Sequence, residues 1–172
     1  MTTAEGTDEP SPAATLERAA SLVNEALWTV ALQRRRLRTS EPEDEDFIFR
    51  PWADWQFFVV ALTRARQGAM IATRVDDVSD AVRAAIKRFD DAVPGLRVLR
   101  NVAEHIDEYA VDSDKRHHGH VSRRGLQVGQ WDETQLIWYL DGPYVLNADS
   151  ALAAAEDLFA AVRAARDTLS RP

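Results

Sequence analysis

The sequence predicts a mainly α-helical domain of about five helices, with a small antiparallel β-meander inserted before the C-terminal helix. Three observations lead there. Apolar residues recur at alternating steps of three and four through most of the chain, the period of a helix that buries one face. Between about residues 125 and 147 that period gives way to short runs rich in aromatic and β-branched residues, separated by turn signals. Finally, 172 residues, 45% of them hydrophobic, suffice for one sizeable core but are short for two independent domains.

Residues 1–11 are acidic, small and proline-containing; they bury too little to offset ordering entropy and are expected to be a disordered tail, which leaves 12–172 as the single domain. Ser11 and Pro12 start the first helix, the serine as cap and the proline in the first turn. Leu16, Ala20, Val23, Leu27 and Val30 form its apolar stripe. It runs to about Leu37 and closes in "QRRRLR", whose cations complement the negative end of the helix dipole. The segment "TSEPEDEDFIFRP" breaks the period. Its consecutive carboxylates, Glu43 to Asp46, lack the alternating ligand spacing and glycine turn of a calcium loop, so it reads as solvated loop.

A second helix begins between Pro51 and Asp54 and buries Phe58, Leu62, Ala65, Ala69 and Ala72. Trp52, Trp55 and Phe57 give its first turns more aromatic surface than one stripe uses, so part of that surface is expected to pack against the linker or another subunit. A third helix, Ser79 to Ala92, buries Val82, Ala85, Ile86 and Phe89 and is stopped by "VPG" at 93–95. A fourth opens just after Gly95. Beyond Tyr109, "VDSDKRHHGHVSRRG" reads as loop and "LQVGQW", "TQLIWYL" and "YVLN" as strands, with turns at "WDET" and "DGP". The last helix starts at about Asp149, with Asp149 or Ser150 as N-cap and Leu152, Ala155, Phe159, Val162 and Leu169 toward the core.

Composition narrows the function. There are 21 basic and 28 acidic residues, a net charge of −7, so the chain repels nucleic acid and anionic membranes unless basic groups gather locally. The absence of cysteine excludes disulfides, thiolate zinc sites and thiol nucleophiles, and fits a reducing cytosol. "MTTAEGTDEPSP" lacks the basic start and apolar run of a signal peptide, and no stretch approaches the roughly 20 apolar residues of a membrane span. The expectation is a cytoplasmic protein without a membrane partner.

The chemistry-bearing stretch is "LRNVAEHIDEY", residues 99–109. On a continuous helix Leu99, Val102, Ala103, Ile106 and Ala110 share one arc facing the core, which puts Arg100, Asn101 and His105 on the opposite side. A bland account exists: Arg100 pairs with Glu104 four residues on, worth about 0.2 to 0.5 kcal/mol, and His105 lies on the helix surface against Tyr109. A functional account asks what the residue types suit. Cleavage of RNA by its own 2′-hydroxyl needs a base, an acid and a cation for the phosphate; histidine exchanges protons near neutral pH, arginine presents planar donors to phosphate, and asparagine orients either. No metal or other cofactor is required. One histidine is poorly placed to serve as both base and acid, whereas a two-fold dimer that apposes this face supplies two.

The run Arg100-Asn101-Val102-Ala103-Glu104-His105 resembles the arginine, polar residue, histidine signature of HEPN domains, all-helical modules that carry it on a late helix. The resemblance implies a dimeric, metal-independent endoribonuclease of a toxin–antitoxin or other defence system, partnered by an antitoxin-like protein. In that reading Arg100 holds the scissile phosphate, His105 is base or acid, and Asn101 positions one of them. The longer run "LRNVAEHIDEYA" also resembles segments of small uncharacterised actinobacterial proteins. The strand-rich segment and the acidic Glu104, Asp107 and Glu108 depart from the family picture.

A second cluster, Asp112, Asp114, His117, His118 and His120, has metal-ligating side chains, but Lys115, Arg116, Arg123 and Arg124 flank it and disfavour a cation. No metal site is expected there. Arg116, Arg123 and Arg124 are the natural local basic patch for RNA in an otherwise acidic chain. The competing expectation is a non-catalytic helical interaction or dimerisation module that binds a partner protein through Trp52, Trp55, Trp131 and Trp138.

Overall fold

The computed structural model describes residues 9–111, 121, 123–127, 129–140 and 143–169. Residues 1–8 of the expected tail and most of the histidine loop, 112–120, lie outside the described residues. The described chain is mainly helical, with a three-stranded antiparallel sheet before the last helix, as the sequence predicts.

Helix α1, Pro12–Leu37, begins where the cap signal places it: the Ser11 hydroxyl accepts from the Ala14 amide at 3.2 Å, with proline in the first turn. Leu16, Ala20, Val23 and Val30 are buried and Leu27 is partly so. Helix α2, Arg50–Ala72, returns antiparallel, and the two pack closely because Gly68 lets Val23 approach; a Cβ at Gly68 would sit 3.0 Å from a Val23 methyl. The acidic linker between them is not simply solvated. A 3₁₀ turn at Pro42–Glu45 presents Asp44 to Arg50, and Arg50 also binds the Asp54 carboxylate at 2.9 Å and the carbonyls of Arg36 at 3.0 Å and Thr39 at 2.7 Å. Asp54 is buried and takes a second guanidinium, Arg36, at 2.9 Å. The basic end of α1 is thus largely spent on carboxylates of the same chain, since Arg34 and Arg38 both bind Asp149 at the surface.

Helix α3, Asp76–Ala92, starts three residues before Ser79, with Asp76 and Asp77 in its first turn where the helix dipole favours acids; Val82, Ala85, Ile86 and Phe89 are buried as expected. The fourth predicted helix is broken in two: α4, Leu96–Glu104, and α5, Ile106–Ala110. The sheet follows, β1 Gly129–Trp131, β2 Gln135–Tyr139 and β3 Pro143–Asn147, in the order β1-β2-β3 with Trp131 opposite Leu136 and Trp138 opposite Tyr144. Leu126 and Gln127, predicted as strand, belong to a 3₁₀ turn at Arg123–Gln127.

Helix α6, Ala148–Leu169, closes the bundle against α1, α2 and α3. Its cap is Asn147, whose side-chain oxygen accepts from the amides of Asp149 and Ser150, each at 3.0 Å; neither Asp149 nor Ser150 serves as N-cap. The buried stripe is Ala148, Ala151, Ala155, Leu158, Val162 and Ala165, with the predicted Leu152, Phe159 and Leu169 on its margins. Small residues face inward because three helices converge on this one. No described helix is long and apolar enough to cross a membrane.

Candidate functional site

Two local features set the start of α4. Gly95 has φ +82, the left-handed region that glycine enters without steric cost, and a Cβ there would run into the Tyr144 ring. Among the described residues no side chain caps the helix that follows, and the amides of Arg97 and Val98 lie at its positive end. Leu96, Leu99 and Val102 are buried and fix the helix against α2.

Asn101 does not leave the core with Arg100, as a wheel drawn on a continuous helix requires. It is 7% exposed, and its side-chain oxygen accepts from Arg100 Nη1 at 3.0 Å. Arg100 also pairs with Glu104, so the bland account of this pair holds as geometry. Yet the pair does not exhaust the arginine. Its Nε is buried and makes no hydrogen bond among the described residues, and its side chain is 31% exposed.

His105 is where the helix breaks. Its φ of −117 and ψ of 35 lie outside the helical range; its amide donates to the Asn101 carbonyl at 3.0 Å, and its own carbonyl accepts from Glu108 and Tyr109 at 3.0 and 3.2 Å. It therefore ends α4 and starts α5. The break re-aims the chain: Tyr109 is fully buried, whereas Ile106 is 45% exposed and Ala110 exposed. That reverses the expectation that Ile106 and Ala110 face the core. His105 itself is half-buried.

Arg100 and Asn101 open onto a cleft of about 490 Å³ between α4, α2 and the end of α3. Three guanidinium groups line it, Arg66 from α2 and Arg97 and Arg100 from α4, against one carboxylate, Asp90. Arg66 holds Asp90 in a two-pronged pair at 2.6 and 2.8 Å, which raises the Arg66 pKa further above its ordinary value. Arg97 is exposed and enters no ion pair among the described residues. Thr63 and Gln67 add neutral polar groups. Such a concavity suits an anion with several oxygens, held by planar donors and by the open end of a helix.

His105 does not line this cleft. Within one copy, then, the phosphate-type donors and the imidazole are adjacent in sequence but do not share one cavity. The predicted basic patch fares differently. Arg116 lies outside the described residues, as does the side chain of Arg123; Arg124 is exposed on the 3₁₀ turn that packs on α5 and β2, and it is not part of the cleft. Arg66 and Arg97 escaped the sequence reading. Arg97 had a signal, three residues before Arg100 at the opening of a helix; Arg66 had none, because α2 reaches the site only through the fold.

The four tryptophans expected to bind a partner are used within the chain. Trp55 is fully buried and donates to the Asp132 carbonyl at 3.2 Å, and Trp138 donates to the Leu126 carbonyl at 3.3 Å. Trp52 packs between Trp131 and Trp138, with ring centroids 5.3 and 5.2 Å away. The aromatic excess of α2 thus anchors the sheet to the helices, and Phe57 alone of that trio stays outside, 61% exposed. No family model, no curated protein and no solved structure matches this chain.

Proposed function

We propose that the chain is a HEPN-like, metal-independent endoribonuclease of a defence or toxin–antitoxin type system, with RNA phosphate held at the α4 cleft. One observation carries the reading: Arg100 and Asn101, joined by a hydrogen bond, open with Arg66 and Arg97 onto a single cleft in a protein of net charge −7. In an acidic chain, a concavity lined by three arginines and one carboxylate is a local exception to the global repulsion of polyanions.

In this reading Arg97 and Arg100 bind the non-bridging oxygens of the phosphate, and Asn101 keeps the Arg100 guanidinium oriented. His105 takes the 2′-hydroxyl proton; the O2′–P bond forms, the P–O5′ bond breaks, and the leaving 5′-oxygen is protonated, giving a 2′,3′-cyclic phosphate and a 5′-hydroxyl. Since His105 lies outside the cleft of its own copy, the reading requires an assembly of two copies in which one His105 is the base and the other protonates the leaving 5′-oxygen, with an antitoxin-like protein as the partner that would cover the site. Purified protein is expected to cut single-stranded RNA in EDTA, with His105→Ala abolishing cleavage at unchanged helical content. Undiminished cleavage by that variant removes the site.

A second reading is a non-catalytic interaction module. It rests on a specific feature, the exposed apolar side chains Trp28, Leu32, Phe47, Ile48, Phe49 and Phe57 of the α1–α2 hairpin, each more than half exposed. Absence of RNA cleavage together with a stable complex through that surface favours it.

A further inference from the structure

Helix α1 buries one side and leaves the opposite side bare. Glu25, Trp28, Leu32 and Arg35 follow one another at steps of three, four and three, so at about 100° per residue they fall on one narrow stripe. All four are exposed, Trp28 by 72% and Leu32 by 52%. The buried Val23, Ala26 and Val30 occupy the other side of the helix, against the rest of the bundle. A tryptophan and a leucine turned outward on consecutive turns add nothing to the folding of a single chain. The Glu25 carboxylate and the Arg35 guanidinium, at the two ends of the stripe, enter no ion pair among the described residues.

The order along the stripe, acid, aromatic, aliphatic, base, is complementary to itself when reversed. If two copies of α1 run antiparallel with Trp28 of one against Leu32 of the other, Glu25 necessarily falls opposite Arg35, and two-fold symmetry makes that pair twice. A parallel pairing in register instead sets Glu25 on Glu25 and Arg35 on Arg35. Charge therefore selects both direction and register. Trp28 and Leu32 supply the apolar centre of the stripe; Phe47, Ile48, Phe49 and Phe57, exposed toward the loop end of the same hairpin, are the further apolar surface that an interface of about 800 Å² on each partner would draw on.

We infer that the outer face of α1 is a self-association surface, on which a second copy of this chain packs antiparallel with Trp28 against Leu32 and Glu25 against Arg35. The inference does not rest on the ribonuclease reading, because no residue of α4 takes part. It also defines a different dimer from one that apposes His105 with His105, and mass alone reads it whether or not RNA is cut.

The test is sedimentation velocity of the full chain from low micromolar to about 100 μM, where a specific interface of this size is populated. A dimer is expected. Trp28→Glu with Leu32→Glu should weaken it by at least about tenfold, and so should Glu25→Arg or Arg35→Glu alone, while Glu25→Arg combined with Arg35→Glu restores it. These charge variants sit on the surface, so they remain decisive even if the apolar pair disturbs folding. Because the chain has no cysteine, Glu25→Cys with Arg35→Cys should give a covalent dimer on oxidation, whereas Glu25→Cys alone should not. A monomer across the whole range, including one that captures a different protein through this face, overturns the proposal. So does a dimer indifferent to the charge variants, or ready cross-linking by Glu25→Cys alone.

Discussion

Arg50 and Arg100 are two arginines on helices of one small protein, each facing carboxylates, and they are used in opposite ways. A guanidinium has five N–H groups. Arg50, with a side chain only 12% exposed, makes five hydrogen bonds, to Asp44, Asp54 and the carbonyls of Arg36 and Thr39. Nothing is left for a ligand. Arg100 uses each of its two terminal nitrogens once among the described residues, on Glu104 and Asn101, so that each keeps a second N–H, and it faces a cleft. The lesson is that proximity to a carboxylate does not separate structural from functional arginines; the count of unspent donors does. The corner between α1 and α2 is closed chemistry, and the start of α4 is open chemistry.

The largest effect that tests the contrast is Arg50→Ala. Removing it leaves Asp44 with only the Glu41 amide and the buried Asp54 with Arg36 alone, for an expected loss of about 3 kcal/mol or more in chemical denaturation. Arg100→Ala should cost under about 1 kcal/mol, because its pair with Glu104 is partly exposed. Equal losses at the two sites would erase the distinction.

Next in size is Gly95→Ala, which forces a side chain into the left-handed region and into the Tyr144 ring. About 2 kcal/mol is expected, seen as a lower denaturation midpoint. A neutral outcome would mean that the opening of α4 is not held as described. Smaller in free energy but sharper for function, Arg97→Ala with Arg100→Ala should weaken RNA or polyphosphate binding about tenfold and flatten its salt dependence, while stability changes little. Unchanged binding would close the cleft as a phosphate site.

The smallest effect is an acid titration. Hydrogen bonds and charge from Arg50 hold the Asp44 pKa below the usual carboxylate range, and Arg34 and Arg38 do the same for Asp149. A depressed folded-state pKa contributes stability above the unfolded value, near 4, and that contribution is lost as pH falls through the folded value. Stability should therefore decline below about pH 4, and Asp149→Asn, which forfeits its share of that contribution at neutral pH, should lower stability slightly above pH 4 and so flatten the decline.

Much of this was legible along the chain. Ser11, the stripe of α1, the "VPG" stop and the meander are local or periodic signals, and each names its element without reference to anything distant. The cap of α6 lies a few positions before the expected one because Asn147, Asp149 and Ser150 are all good caps; Asn147 serves, and the Asp149 carboxylate is instead held by Arg34 and Arg38, over a hundred residues away. The candidate site was half legible. Arg100 and Asn101 announce themselves by type and spacing, but the break at His105 has no glycine or proline to mark it. It follows from the burial of Tyr109, a tertiary demand.

The sequence by itself determined that the protein is helical with a late β-meander, where most helices begin and end, and that Arg100, Asn101 and His105 stand close in the chain. Periodicity and capping are short-range physics, written in neighbouring residues. Only the tertiary structure decided that Asn101 turns inward, that His105 lies outside the cleft, that Arg66 and Arg97 join Arg100, and that the tryptophans of α2 are spent on the sheet while Trp28 is left bare. Each of these depends on which surfaces meet, and burial and ion pairing across tens of residues are fixed only when the whole chain has packed.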